Sequence, residues 1–451
     1  MVQPGGAGKS GSAPAGFKVV LGNRNFTFLW SAQALSQVAQ NIINFAVVVQ
    51  VENLTHSTTE VALTIVAFIL PAVIFSPVAG VLVDRMDKKV ILLWTNVLRG
   101  VATLGFVAFG HTLFAIFGIL FVSSVINQLF SPAESASIPM LVKREQLLNA
   151  NSLFNITFNG AIFVGFVIIA PAVIKFAGLR VVFFVTVAMY LAAAGLCGVL
   201  PARMGRLRPV ETAEGPWSSG HPGQMLDEIR DGLAYIFARK ELVTAIIQLT
   251  LIQTLLLIMG EMAPGFTARV LNLTAADTAY VFLPLGLGLM LGIVTLNRVT
   301  RLVPKELLTR ISVFAIGLLT FGVGISPPLS RLGAKIASKV SDELQAANWL
   351  IALDLFLLLI IGFAFAYVVV PAQTQLQELT EDDNRGRVFS IQLMLASAFM
   401  IIPLLFFGSL ADAFGITQVL AGMGILIAIP FGFTLRHAVR DYQHGRSRQS
   451  A

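Results

Sequence analysis

Apolar runs of about 20 residues, each long enough to cross roughly 30 Å of hydrocarbon, recur along nearly the whole chain, and nothing else constrains the fold as strongly. A backbone in lipid must satisfy its own hydrogen bonds, so these runs are read as helices. Charged punctuation sets them near 28–51, 59–82, 89–110, 112–132, 151–175 and 179–200. After a polar stretch they continue near 243–265, 277–297, 307–326, 348–371, 388–411 and 416–436. The expected fold class is an all-α membrane protein with twelve transmembrane helices in two six-helix bundles. Only 12% of residues are charged and the mean hydropathy is +0.81, whereas soluble domains carry about 25% charge. A soluble domain has room only in the connections.

The expected organisation is a tail at 1–27, a first bundle at 28–200, a linker at 201–242, a second bundle at 243–436 and a second tail at 437–451. An even number of spans puts both termini on one side. That side holds 24 of the 31 Lys and Arg and the other holds six, Arg99 lying inside span three. The positive-inside rule makes the termini and the linker cytoplasmic. The net charge of +7 then reflects topology and anionic lipid headgroups, with no nucleic-acid partner. The expected location is a bacterial cytoplasmic (inner) membrane. The first 16 residues, rich in Gly, Ser, Ala and Pro, read as a loose tail. They have no cleavable apolar h-region, so span one is expected to direct insertion.

Catalytic groups are sparse. Cys197 is the only cysteine, and the five histidines (His56, His111, His221, His437, His444) fall in or beside loops and tails, none spaced as a metal pair. No cluster of His, Cys or Ser/His/Asp groups shares one membrane depth, so neither an enzyme, a metal nor a cofactor is expected. The chain is expected to act as a monomer among membrane lipids.

Two amphipathic segments stand outside the spans. In the linker, Met225, Ile229, Leu233 and Ile236 recur at helical spacing, with Asp227, Glu228, Arg230, Asp231 and Arg239 between them. This is an interfacial helix, read as a mechanical tie between the halves or as a regulatory docking helix. After span nine, Leu329, Leu332, Ile336, Val340 and Leu344 share a face beside Arg331, Lys335 and Lys339. This basic outer segment, 329–346, is read as headgroup contact or as a lid.

The loop after span two reads Gly80-Val-Leu-Val-Asp84-Arg85-Met-Asp87-Lys88-Lys89. It resembles the loop motif of the major facilitator superfamily, in which a glycine permits close helix approach and the charges form a network at the inner gate. The resemblance implies that Gly80, Asp84, Arg85, Asp87, Lys88 and Lys89 make that gate, Asp87 standing where the pattern has Gly. The second half carries a degraded echo, Gly292 followed by Asn297, Arg298 and Arg301, without the acid. Pro132-Ala133 and Pro371-Ala372, placed at the inner ends of spans four and ten, support an internal repeat. With Ile138-Pro139, Asn149-Ala150-Asn151, Gln377-Glu378-Leu379 and the run from Arg385 to Ser390, they resemble the drug:proton antiporter branch that holds macrolide effluxers and the enterobactin exporter. The resemblance covers most of the chain. It implies export of a small amphipathic solute of drug, macrolide or siderophore type by alternating access, coupled to protons. The lysophospholipid transporters look similar at this level, and a non-transporting receptor is the reading from another class.

Polar residues inside spans are costly in lipid unless they face a cavity or a partner helix. Span one carries Gln33, Gln37, Gln40 and Asn44 on one helical face with Asn41 beside them; span four offers Asn127 and Gln128, and span five Asn155 and Asn159. The resemblance places Gln37, Gln40, Asn44, Asn127 and Gln128 at a central cavity, with Asn41, Asn155 and Asn159 as further candidates. Helix-to-helix hydrogen bonding is the competing reading of each. The branch usually has an Asp in span one; here Ser36 is followed by Ala39-Gln40. The coupling candidates that remain are Glu261 in span seven, Asp354 in span ten, Glu134 at the inner end of span four, and Arg99. Glu261 and Asp354 are placed in the outer half, either facing one another or each snorkelling to the surface.

Overall fold

The computed structural model describes residues 17–201, 230, 232–301, 303, 305–337, 343–380 and 385–449. Twelve helices among the described residues are long and apolar enough to cross a membrane. The first half contains α1 (Arg24–Thr55), α2 (Thr58–Arg85), α3 (Lys88–Phe109) and α4 (Leu113–Leu141). Helix α5 is built from Leu147–Ile162, Phe163–Ile169 and Ala170–Ala177, and α6 spans Leu179–Val199. The second half contains α7 (Lys240–Arg269), α8 (Ala279–Val299), α9 (Lys305–Ala337), α10 (Glu343–Leu379), α11 (Arg385–Phe414) and α12 (Ile416–Gln449). The protein is a multi-pass membrane protein of two six-helix bundles. We call the end where α1 begins the near end, and the opposite end the far end.

Short polar caps start several helices by satisfying orphan amides. The Asn23 side chain accepts from the Asn25 and Phe26 amides at 3.1 and 3.3 Å, and Ser57 accepts from Glu60 N at 3.2 Å. The turns repeat between halves. Among the described residues, the two non-glycine positions with positive φ, His56 (50°) and Asn272 (55°), follow the first helix of each half. The two positive-φ glycines, Gly178 (86°) and Gly415 (97°), join the fifth helix to the sixth in each half, where a side chain would be strained.

Helix ends overrun the expected spans. Helix α9 continues to Ala337 rather than 326, and α10 runs from Glu343 to Leu379 rather than 348–371. Pro132-Ala133 and Pro371-Ala372 do not close their helices: α4 runs on to Leu141 and α10 to Leu379. Within a bundle, neighbouring helices and hydroxyls re-satisfy the groups that proline disturbs. Thr309 Oγ1 of α9 donates to Tyr367 O, the carbonyl that Pro371 leaves without its amide, at 3.5 Å. Helix α5 is π-helical over Phe163–Ile169 where it crosses α1. A Cβ on Gly165 would lie 2.7 Å from Val38 O and 2.9 Å from Asn41 Cβ, so the close approach there requires glycine.

In the linker, residues 232–237 are helical, and Leu233 and Ile236 pack with Leu242, Leu376 and Val388 at the near end of the second bundle. Met225 and Ile229 lie outside the described residues. So do the side chains of Leu332, Ile336, Val340 and Leu344 in the 329–346 segment, whose Leu329 is exposed.

Candidate functional site

The bundles are joined at the far end by a charge network that no sequence motif announced. The last turn of α7 presents Arg269, whose Nε lies 3.3 Å from Glu52 Oε1 at the end of α1. Its Nη2 donates to Thr58 Oγ1 at 2.8 Å, and its Nη1 is 3.7 Å from Asp412 Oδ1 near the end of α11. Asp412 in turn caps α2 from the other bundle. It accepts from Ser57 Oγ at 2.7 Å, Thr58 N at 2.7 Å, Thr59 N at 2.9 Å and Thr59 Oγ1 at 2.6 Å. An acid at a helix N-terminus meets both the orphan amides and the positive end of the macrodipole. A second cross-bundle pair joins Lys175 Nζ to Asp277 Oδ1 at 2.7 Å. Aromatic packing of Phe166 on Phe282, centroids 5.1 Å apart, seals the same half.

Inside the first bundle, Arg99 is 1% exposed and organises a polar cluster. Its Nη2 donates to Ser36 Oγ at 2.6 Å and Asn96 Oδ1 at 2.9 Å, and its Nη1 to Asn127 Oδ1 at 3.1 Å. The guanidinium stacks over Phe130 at 4.3 Å and Tyr190 at 4.9 Å from the ring centroids. The Tyr190 hydroxyl donates to Gln40 Oε1 at 3.0 Å, and Gln40 Nε2 to Asn44 Oδ1 at 2.9 Å. Five donors in a planar fork let one arginine satisfy several partners at once. Glu134 is buried seven residues before the end of α4 rather than at its end, and Arg99 acts on it electrostatically. Among the described residues, Glu134 Oε1 has no hydrogen-bond partner.

The predicted amide stripe is thus divided. Gln40, Asn44 and Asn127 meet the Arg99 cluster, together with Asn96 and Tyr190, which sequence reasoning missed. The spacing of Asn96 three residues before Arg99 was the available signal. Asn41 donates to Gln37 O at 2.9 Å, Gln128 to Ser124 O at 3.3 Å, Asn155 to Asn151 O at 3.0 Å and Asn159 to Asn155 O at 2.8 Å. These four side chains bond to their own helices.

At the near end, Asp87 caps α3 by accepting from Lys89 N at 2.9 Å, which gives the acid in the glycine position a local task. Lys88 is buried and donates to Val83 O at 3.0 Å and Met86 O at 3.3 Å, while Lys89 Nζ donates to Leu200 O beyond α6. Gly80, Asp84 and Arg85 belong to α2; their side chains lie outside the described residues.

In the second bundle Glu261 and Asp354 are 1% and 0% exposed, so neither snorkels. Among the described residues, no carboxylate oxygen of either has a hydrogen-bond partner. They turn to different neighbours. A Cβ on Gly408 of α11 would lie 2.6 Å from Glu261 Oε1, and the polar neighbour of Asp354 is Ser326 of α9, whose own hydroxyl donates to Val323 O. Buried carboxyls without partners are expensive as ions and mark functional candidates.

Residues 29–402 match the family described as Major Facilitator Superfamily. The chain belongs to the major facilitator superfamily. This major facilitator chain is 24% identical over 420 residues to macrolide efflux protein A of Streptococcus pyogenes, covering 89% of the chain and 93% of that protein. It is 23% identical over 373 residues to the uncharacterized MFS-type transporter YfiS of Bacillus subtilis, covering 82% of each. The crystal structure of nucleoside transporter NupG superposes with a TM-score of 0.66 at 14% identity, covering 91% of this chain and 98% of that one. At that identity the likeness shows the fold alone, which is the major facilitator fold that the span count and the loop after span two predicted. As a member of this superfamily the protein is a transporter.

Proposed function

We propose that the protein exports an amphipathic organic compound across a bacterial cytoplasmic membrane by alternating access, in antiport with protons. The observation that carries this reading is the Arg269, Glu52 and Asp412 network: the described ion pairs between bundles all lie at the far end. With cytoplasmic termini, as the Lys and Arg distribution implies, the far end is the outer gate and is shut. Transport then alternates between this network and one formed at the near end by Asp84, Arg85 and the lysines after them. The efflux relative supports an outward direction.

In this reading Gln40 and Asn44 of α1 and Asn127 of α4, which bond within the Arg99 cluster, supply neutral donors and acceptors suited to an uncharged polar group on an apolar solute. Glu134, Glu261 and Asp354 are the proton carriers in this reading. Each is buried where its charge lacks a full set of partners, so rocking that admits water to one side alters the balance between its two protonation states.

Purified protein in proteoliposomes, with an imposed pH gradient and a panel of a macrolide, a catecholate siderophore and a lysophospholipid, tests the proposal. Gradient-driven movement of the macrolide or the siderophore is expected. Movement of the lysophospholipid alone would replace this substrate class with a lipid. Movement of none would overturn the exporter reading.

A further inference from the structure

The two halves repeat one another, yet one pair of equivalent helices packs differently. In the first bundle α1 lies along α6, joined by the Tyr190 to Gln40 hydrogen bond. Their counterparts α7 and α12 touch only briefly. Helix α12 is instead held against α9 by a glycine seam. A Cβ on Gly317 would lie 2.7 Å from Ala428 N, and one on Gly424 would lie 2.3 Å from Phe321 N. Small residues let two backbones meet this closely in a membrane. Helices α10, α11 and α12 each carry a proline in their interior, Pro371, Pro403 and Pro430.

The space left behind is a cavity of about 740 Å³, and its described lining residues all come from the second bundle. Its lining is segregated by depth. Leu255, Ile258, Phe407 and Met423 form an apolar interior, whereas Gln248, Thr309, Arg310, Gln375 and Glu378 rim the near end. Phe399 of α11 and Leu426 of α12, in the lining at mid-span, are 58% and 65% exposed.

We propose that this cavity is a binding site for one amphiphile, its hydrocarbon chain held between α7 and α12 and its hydrogen-bonding head at the rim around Gln375 and Arg310. The chain enters from the bilayer between α11 and α12. The apolar interior excludes a charged or fully polar occupant, and the rim gives a single-chain lipid or detergent-like head its partners.

Full-length protein in nanodiscs, photolabelled with a palmitoyl lysophosphatidylcholine carrying a diazirine in its chain, tests this without recourse to transport. The label is expected on α7, α11 and α12 at the lining residues, well above the lipid-facing sides of α3 and α8. Met423→Trp, which fills the interior, should lower that labelling about tenfold, equivalent to an occupancy loss readable by titration. Gln375→Leu, at an exposed position outside the packed core, should lower it severalfold. Probe movement in proteoliposomes would make the occupant cargo, and labelling without movement would make it a resident lipid; either outcome upholds the site. Uniform labelling of all lipid-facing helices, unchanged by both substitutions, would overturn it.

Discussion

Arg269 at the end of α7 sits 3.3 Å from Glu52 at the end of α1, so one ion pair ties the first helix of one bundle to the first helix of the other. Glu52 is 1% exposed while the Arg269 side chain is 31% exposed, and this asymmetry sets the expected consequences of breaking the pair. Arg269→Ala leaves a buried carboxylate without its partner and should disfavour the latched state by about 3 kcal/mol. Glu52→Gln removes only the pairing and should cost about 1 kcal/mol. Spin labels at Asn53→Cys and Ser409→Cys in a Cys197→Ser background, read as distance distributions, should show more far-end opening in Arg269→Ala than in Glu52→Gln. Equal opening would mean the pair does not control the gate.

Asp412 contributes by capping α2 across the interface. Asp412→Ala removes acceptors for two amides and two hydroxyls, and loss of such a cap costs about 1–2 kcal/mol. Combined with Arg269→Ala, its effect on far-end opening should be less than additive because the two share partners. Additive effects would separate the cap from the latch.

The Arg99 cluster should govern stability of the first bundle. Tyr190→Phe leaves Gln40 without its donor, costing roughly 1 kcal/mol. Arg99→Ala strips hydrogen bonds from Ser36, Asn96 and Asn127 together and should cost several times more. Thermal unfolding in detergent should rank the two in that order.

Glu261→Gln and Asp354→Asn keep the size of each side chain while removing its titration. In proteoliposomes one of them should retain downhill solute movement and lose acceleration by a pH gradient. If both variants respond to the gradient as the parent does, proton coupling rests on Glu134 or elsewhere.

Asp84→Asn should slow transport while leaving membrane insertion intact, measured as initial rate per inserted protein. An unchanged rate would remove Asp84 from the gating cycle.

Much of the architecture was legible because a bilayer imposes a one-dimensional rule. Span number, order and bundle grouping follow from where apolar runs reach the hydrocarbon thickness. Span ends were less legible: helices such as α9 and α10 continue past the hydrocarbon, where hydropathy no longer marks them. The stripe on α1 was visible from its spacing, yet the spacing could not say which amides face Arg99 and which bond to their own helix. Nor could Glu261 and Asp354 be assigned neighbours, since each packs against another helix, Glu261 against one far away in the chain.

Local periodicity and composition, then, determined a twelve-helix membrane chain with a motif-bearing loop after span two. Tertiary structure alone decided that Arg269 meets Glu52, 217 residues away, and that α7 and α12 part where α1 and α6 close. Lipid drives each helix to form independently of its neighbours, whereas the pairing of helices depends on side-chain shapes and charges that meet only after the chain has folded.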